Sequence, residues 1–243
     1  MTENRKKTGI SGSTLKIIAL VSMFIDHMAV SLIEVNYGNK NSFLYDLPWS
    51  EDTILQVNVV LREIGRLAFP IFCFLLVQGA MYTHDRKRYL RNMAVFALLS
   101  EIPFDLAFHN TLWYGNSQNV FFTLTLGLIS IYLLDWWKGK EWISFGIVAV
   151  VAVLAYFLRT DYGASGVILI VFFWLFRFEE KLRNILCSVW MIVGINLSEA
   201  AGILAFLPIH AYNGERGRQL KYFFYLFYPV HLLVLFGVRV FLG

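Results

Sequence analysis

The chain has 243 residues, 58% of them hydrophobic and 17% aromatic, with 16% charged and a formal net charge of +4. So few charges cannot cover the surface of a soluble domain of this size, whereas a polytopic membrane protein needs no more. A mean hydropathy of +0.59 with 22 Phe, 12 Tyr and 7 Trp suits lipid-facing walls and interfacial belts, and no nucleic-acid partner is expected.

The opening "MTENRKKTGISGST" (1–14) is basic and polar, and the apolar run after it lacks a small-residue cleavage site. It reads as a cytoplasmic tail before a first span that stays attached, with no signal peptide. Apolar runs long enough to cross hydrocarbon follow at 15–34, 60–82, 89–108, 118–135, 142–158, 163–177 and 222–241. Between the first two lies an external loop, 35–59, bearing Asp46, Glu51 and Asp52. The stretch 184–212, "NILCSVWMIVGINLSEAAGILAFLPIHAY", is one long helix or two short ones breaking near Ser198. Alternation decides. With the N-terminus inside, Arg86, Lys87, Arg88, Arg91, Lys138, Lys140, Arg177, Lys181 and Arg183 all fall inside. The basic connection "NGERGRQLK" joins them only if 184–212 crosses twice. The expected architecture is therefore all-α, a single transmembrane domain over 1–243. It has about nine helices in the plasma membrane and an external C-terminus. Cys73 and Cys187 fall within apolar runs and read as buried thiols, with neither a disulfide nor a metal site expected.

Against this background the ionisable residues inside spans stand out, because each costs on the order of 2.5–3.5 kcal/mol at a helix centre. "FIDHMA" places Asp26 and His27 in the first helix, "EIGRLAFP" places Arg66 in the second, "LLSEIPFD" Glu101 in the third and "FYPVHLL" His231 in the last. All lie at similar depth, so a shared polar chamber is expected. Pro70 leaves the Arg66 carbonyl without its helical donor, which calls for protein or water around it. Neighbours on a helix point about 100° apart, so Asp26 is expected to pair with Arg66 rather than with His27. A residue on another helix, such as Glu101, is better placed to orient the His27 ring as a general base. Lys16 precedes His27 by three helical turns on the same face, roughly 16 Å away, near the basic "HDRKRYLR" loop with Arg86, Arg88 and Arg91. Cations inside and a histidine deeper in suggest transfer of a group from a phosphate-bearing donor. A proton-coupled transporter using the same cluster as a relay is the alternative, though no inverted repeat accompanies it.

The runs "LKIIALVSMFIDHMAVSLIE", "IGRLAFPIFCFLLVQGAMYTHDRKRYLRNMAVFALLSEIPF", "NVFFTLTLGLISIYLLD" and "YNGERGRQLKYFFYLFYPVHLLVL" closely resemble the TraX family, over nearly the whole chain except 35–59. That family is named for a conjugal-transfer protein that acetylates the N-terminus of pilin. It looks like a compact relative of acyltransferase family 3, in which an Arg or Lys precedes the essential histidine with ten residues between them and an RxxR motif lies on a cytoplasmic loop. Lys16 and His27 have that spacing, and Arg88 to Arg91 reads RYLR. The resemblance implies acetyl-CoA as a cytoplasmic acyl donor, its phosphates held by Lys16, Arg86, Arg88 and Arg91. It implies His27 at the thioester as base or acyl carrier, with Arg66 and Glu101 lining the chamber and Asp26 and His231 supporting them. The acceptor would be an extracytoplasmic peptide amine or glycan hydroxyl. Lipid surrounds the protein, and a homo-oligomer is left open.

Overall fold

Long apolar runs can satisfy their backbone polarity in lipid only as helices, and helices account for the fold. The computed structural model describes residues 8–40, 42–218 and 221–242, and among these the β-structure amounts to isolated bridges rather than strands. Helix α1 (Gly12–Met28) starts at Ser11, whose hydroxyl accepts the Thr14 N–H, and runs on without interruption into a π-helical turn, Ala29–Glu34. Helix α2 (Glu51–Gly65) begins at its cap Ser50, so the connection after α1 ends well before residue 59. Helix α3 (Ala68–Tyr82) follows after a break at Arg66 and Leu67, where Pro70 removes the donor for the Arg66 carbonyl.

Helices α4 (Arg86–Leu99) and α5 (Glu101–His109) are divided at Ser100, and Pro103 likewise frees the Leu99 carbonyl. Helices α6 (Val120–Trp136), α7 (Glu141–Phe157) and α8 (Gly163–Leu175) pack side by side. Gly127 lets α6 approach α8 so closely that a Cβ there would lie 2.4 Å from Ile170 Cδ1, the use membrane helices make of small residues. Helix α9 (Glu180–Trp190) widens into a second π-helical turn, Met191–Ile195. The chain reverses at Asn196, whose backbone is extended, and returns as a 3-10 segment (Leu197–Ala205) and α10 (Phe206–His210). His210 Nδ1 lies 2.6 Å from Glu180 Oε1 and closes the two ends of this hairpin. Residues 184–212 are thus two arms, with the break at Asn196, two residues before Ser198. Helix α11 (Lys221–Leu242) carries Pro229 in its interior.

Two helical stretches, Gly12–Glu34 and Phe223–Leu242, are long and apolar enough to cross a membrane singly, and four shorter apolar helices accompany them. The buried core runs through α1, α3, α6, α8 and α11, with Leu15, Ile71, Leu128, Leu169, Phe173 and Leu232 fully enclosed. The exterior is also apolar: Trp142 is 90% exposed, Phe145 73%, Val193 79% and Phe241 89%. An apolar envelope of this kind favours lipid over water as its surroundings.

The molecule has two distinct poles. At the first, the Ile10 N–H donates to the Ala211 carbonyl and the Asn213 N–H to that of Ile10, while Arg216 Nη2 donates to the Tyr82 carbonyl. These contacts gather Lys16, the start of α4 and the 213–217 connection, and this is the basic pole. The opposite pole holds Glu34, Arg62, the 110–119 connection and the turn between α7 and α8.

Candidate functional site

One stripe of α1 organises the site. Lys16, Leu20 and Met23 line a cavity of about 510 Å³ at the basic pole, and His27, Val30 and Glu34, further along the same face, line a second of about 420 Å³ at the opposite pole. Steps of three and four residues keep these side chains on one face of a helix. The two cavities are separated by rings. Tyr228 lines the basic-pole cavity and stands edge-on to His27, 5.7 Å between centroids, while Phe108 closes on His27 from the other side at 5.1 Å. Arg239 holds Phe108 there indirectly, donating to the Leu106 and Ala107 carbonyls at the end of α5 at 2.8 and 2.6 Å.

His27 and His231 meet directly, Nδ1 to Nε2 at 2.7 Å, and His231 Nδ1 lies 2.8 Å from the Phe227 carbonyl. A carbonyl only accepts, so His231 Nδ1 carries hydrogen. With both rings neutral, His231 Nε2 then accepts from His27 Nδ1–H, and the lone pair of His27 is left on Nε2. The backbone of α11 thus sets the tautomer of a residue on α1.

Charged residues enclose the opposite cavity. Asp26 accepts from Arg62 at 2.7 Å, and Arg62 also reaches Glu34 at 3.2 Å, to which Asn58 donates at 3.1 Å. Asp26 therefore pairs with Arg62 and not, as its sequence position suggested, with Arg66. The reason is the helix break at Arg66, which turns that guanidinium toward Glu199 on the 3-10 segment, 2.8 Å away. Asp26 also packs flat against Gly65, where a Cβ would fall 2.2 Å from its Oδ1.

Glu101 does not orient His27. It is buried beside Asn119, accepting from that residue's N–H and side-chain amide, and it lines neither cavity. Its role lies at the start of α6, where Asn119 caps Phe121 and also donates to the Ala97 carbonyl at 2.8 Å. His231 takes the place expected for Glu101 because α11 already packs against α1 and the Phe227 carbonyl, one turn before His231, holds its ring.

At the basic pole Lys16 and Arg88 line the cavity, with Lys16 over the Phe224 ring at 5.0 Å. Arg86 points away to Asp135, 2.7 Å distant, and Arg91 is exposed outside the lining. The third cation of the cavity is Arg216, which the sequence reading placed only in a connecting loop. Gly217 brings that loop against Ser11 and Ser13 with φ +67, a conformation suited to glycine. Neither Lys16, Arg88 nor Arg216 forms an ion pair among the described residues. Asp161 and Tyr162, on the turn between α7 and α8, also line the opposite cavity and were not singled out from the sequence. The "DYG" turn residues there were the available signal.

A model of the family described as TraX protein matches residues 11–239, from the cap of α1 to the arginine that braces Phe108. The chain belongs to the TraX family. It is similar to a probable fimbrial assembly protein of Dichelobacter nodosus, FimC of serogroup H1, with 27% identity over 258 residues, covering 96% of this chain and 97% of that protein. No solved structure matches. The TraX match takes in both cavities, the histidine pair and every candidate residue named above.

Proposed function

We propose that this TraX-family protein is an integral membrane acetyltransferase, related to acyltransferase family 3, that moves an acetyl group from cytoplasmic acetyl-CoA to an acceptor in the opposite cavity. The observation that carries this reading is the Phe227–His231–His27 hydrogen-bond chain, which leaves a basic nitrogen on the one α1 face shared by both cavities. The basic pole faces the cytoplasm, with about nine crossings, a reading supported by the cations gathered there and by the 184–212 hairpin.

Lys16, Arg88 and Arg216 hold the phosphates of the donor, and Leu20, Met23 and Phe224 flank its pantetheine arm. The thioester reaches the ring layer at Tyr228. His27 Nε2 removes a proton from the acceptor N–H or O–H as the heteroatom attacks the thioester carbon. The tetrahedral intermediate collapses with cleavage of the C–S bond, and the proton on His27 passes to the departing thiolate, giving CoA–SH and the acetylated acceptor. His231 Nε2 supports the transient imidazolium by accepting its Nδ1–H.

The test is the purified protein in lipid nanodiscs with radiolabelled acetyl-CoA and either a free-amine peptide or a glycan. Wild type is expected to bind CoA and transfer label, and His27→Ala to bind without transferring. Absence of transfer by the wild type, or full activity in His27→Ala, overturns the reading.

A further inference from the structure

The opposite cavity contains a carboxylate that the reaction above does not use. Asp161 lies in the connection between α7 and α8, where Arg159 has φ 53 and Tyr162 φ 60. Two non-glycine residues in the left-handed region within four positions are unfavourable and persist only where the surroundings impose them. Here they do. The Gln118 N–H donates to the Arg159 carbonyl at 3.0 Å, the Asp161 N–H donates to that of Gln118 at 2.8 Å, and the Thr123 hydroxyl donates to the Asp161 carbonyl. Tyr162 is locked as well, its ring stacked on Phe69 at 3.7 Å. The turn is thus built to hold Asp161 in place.

What Asp161 lacks is a cation. Arg62 is taken by Asp26 and Glu34, and Arg66 by Glu199 and Tyr162. Of the carboxylates lining this cavity, Asp161 alone makes no ion pair among the described residues. Its recorded hydrogen bond is from the Tyr162 N–H to Oδ1, 3.1 Å, which leaves Oδ2 open. Asp161 is half-buried, and Oδ2 is open to the cavity rather than sealed inside the protein. Burial pushes the Asp161 carboxyl up to about 6. His27 lines the same cavity.

We propose that Asp161 orients the acceptor, its open oxygen accepting an N–H or O–H other than the one whose proton His27 removes. A primary amine has such a second hydrogen on the same nitrogen, and a sugar has one on the neighbouring hydroxyl. This inference rests on the acyltransferase reading and assigns the acceptor's place within it. Asp161 removes no proton and forms no bond. It fixes the attacking lone pair toward the thioester, the positional contribution that an enzyme adds to a bimolecular reaction.

The test compares Asp161→Asn with wild type in nanodiscs, using four probes: an alanyl peptide, a prolyl peptide with one amine hydrogen, a methyl glycoside with a free vicinal diol, and the same glycoside with one of the two hydroxyls methylated. Asparagine keeps its oxygen on the Tyr162 N–H and turns an amide donor toward the cavity. For a probe with a second donor, KM is expected to rise about tenfold or more, as loss of a charge-assisted hydrogen bond implies. KM for its single-donor counterpart, and the affinity for CoA, should stay within about twofold. A methylated control unaffected where the diol is impaired identifies a glycan acceptor, and the peptide pair does the same for an amine. Asp161→Ala, checked for a thermal midpoint no lower than that of wild type, should repeat the pattern. Equal KM in mutant and wild type, or equal loss on single-donor and double-donor probes, overturns this proposal alone. No transfer to any probe by the wild type overturns it together with the acyltransferase reading.

Discussion

His27 Nδ1 and His231 Nε2 lie 2.7 Å apart although 204 positions separate them in the chain. The contact joins the first and last helices and fixes which nitrogen of His27 is free. His231→Phe keeps an aromatic ring against Phe227 but removes the acceptor, so the His27 proton is free to move to Nε2. Acetyl transfer is expected to fall about 10²-fold or more, in the range of general-base contributions, with CoA affinity unchanged. Steady-state transfer and CoA titration on the same preparation check this.

At the basic pole the geometry separates residues that the sequence groups together. Arg216→Glu and Arg88→Glu should each weaken CoA binding about tenfold or more at low ionic strength, with the difference shrinking as salt is added. Arg91→Glu, outside the cavity, should change affinity less than about twofold. Calorimetric titration of CoA at two salt concentrations distinguishes them.

The contact between Gly65 and Asp26 predicts a sharp asymmetry between two glycines. Gly65→Ala would place a methyl 2.2 Å from Asp26 Oδ1, while a Cβ on Gly146 meets nothing within 4 Å. Gly65→Ala is expected to cost about 1–3 kcal/mol and to lower the thermal midpoint in detergent. Gly146→Ala should leave it unchanged or raise it slightly.

The carboxyl of Asp161, raised by burial from the ordinary 3.8 to about 6, also makes a prediction about stability. The folded state holds its proton more tightly than the unfolded state, so this group contributes most at acid pH. That contribution is fully present below 3.8 and is lost as pH rises from there through about 6. Asp161→Asn should therefore raise the thermal midpoint by a few degrees at pH 8 and by much less at about pH 4. Equal shifts at both values would contradict the assignment.

The sequence was most legible where a single helix carries the signal. The stripe from Lys16 to His27 follows from helical period alone, and the two-armed course of 184–212 agrees with the sign of its flanking charges. Partners across helices were another matter. Asp26 chose Arg62 over Arg66 because the break at Arg66–Leu67 rotates one guanidinium away, and hydropathy carries no record of that rotation. Glu101 looked like a chamber residue by depth, yet depth does not say which way a helix faces, and its face meets Asn119. Arg216 and Asp161 sit on connections, where neither periodicity nor span length gives a direction. Their placement depends on positive-φ turns and on backbone hydrogen bonds to residues remote in sequence.

The π-helical turn at Ala29–Glu34 begins two residues after His27 and amounts to one extra residue accommodated in an otherwise regular helix. It lets a chain keep His27 in phase with Lys16 while independently setting the phase of everything beyond it. Deleting a single residue from this turn would restore an ordinary helix and swing Glu34 away from Arg62 and Asn58, with the histidine undisturbed. An insertion or deletion at this point would therefore re-face the end of α1 that carries Glu34 without altering the stretch that carries Lys16 and His27.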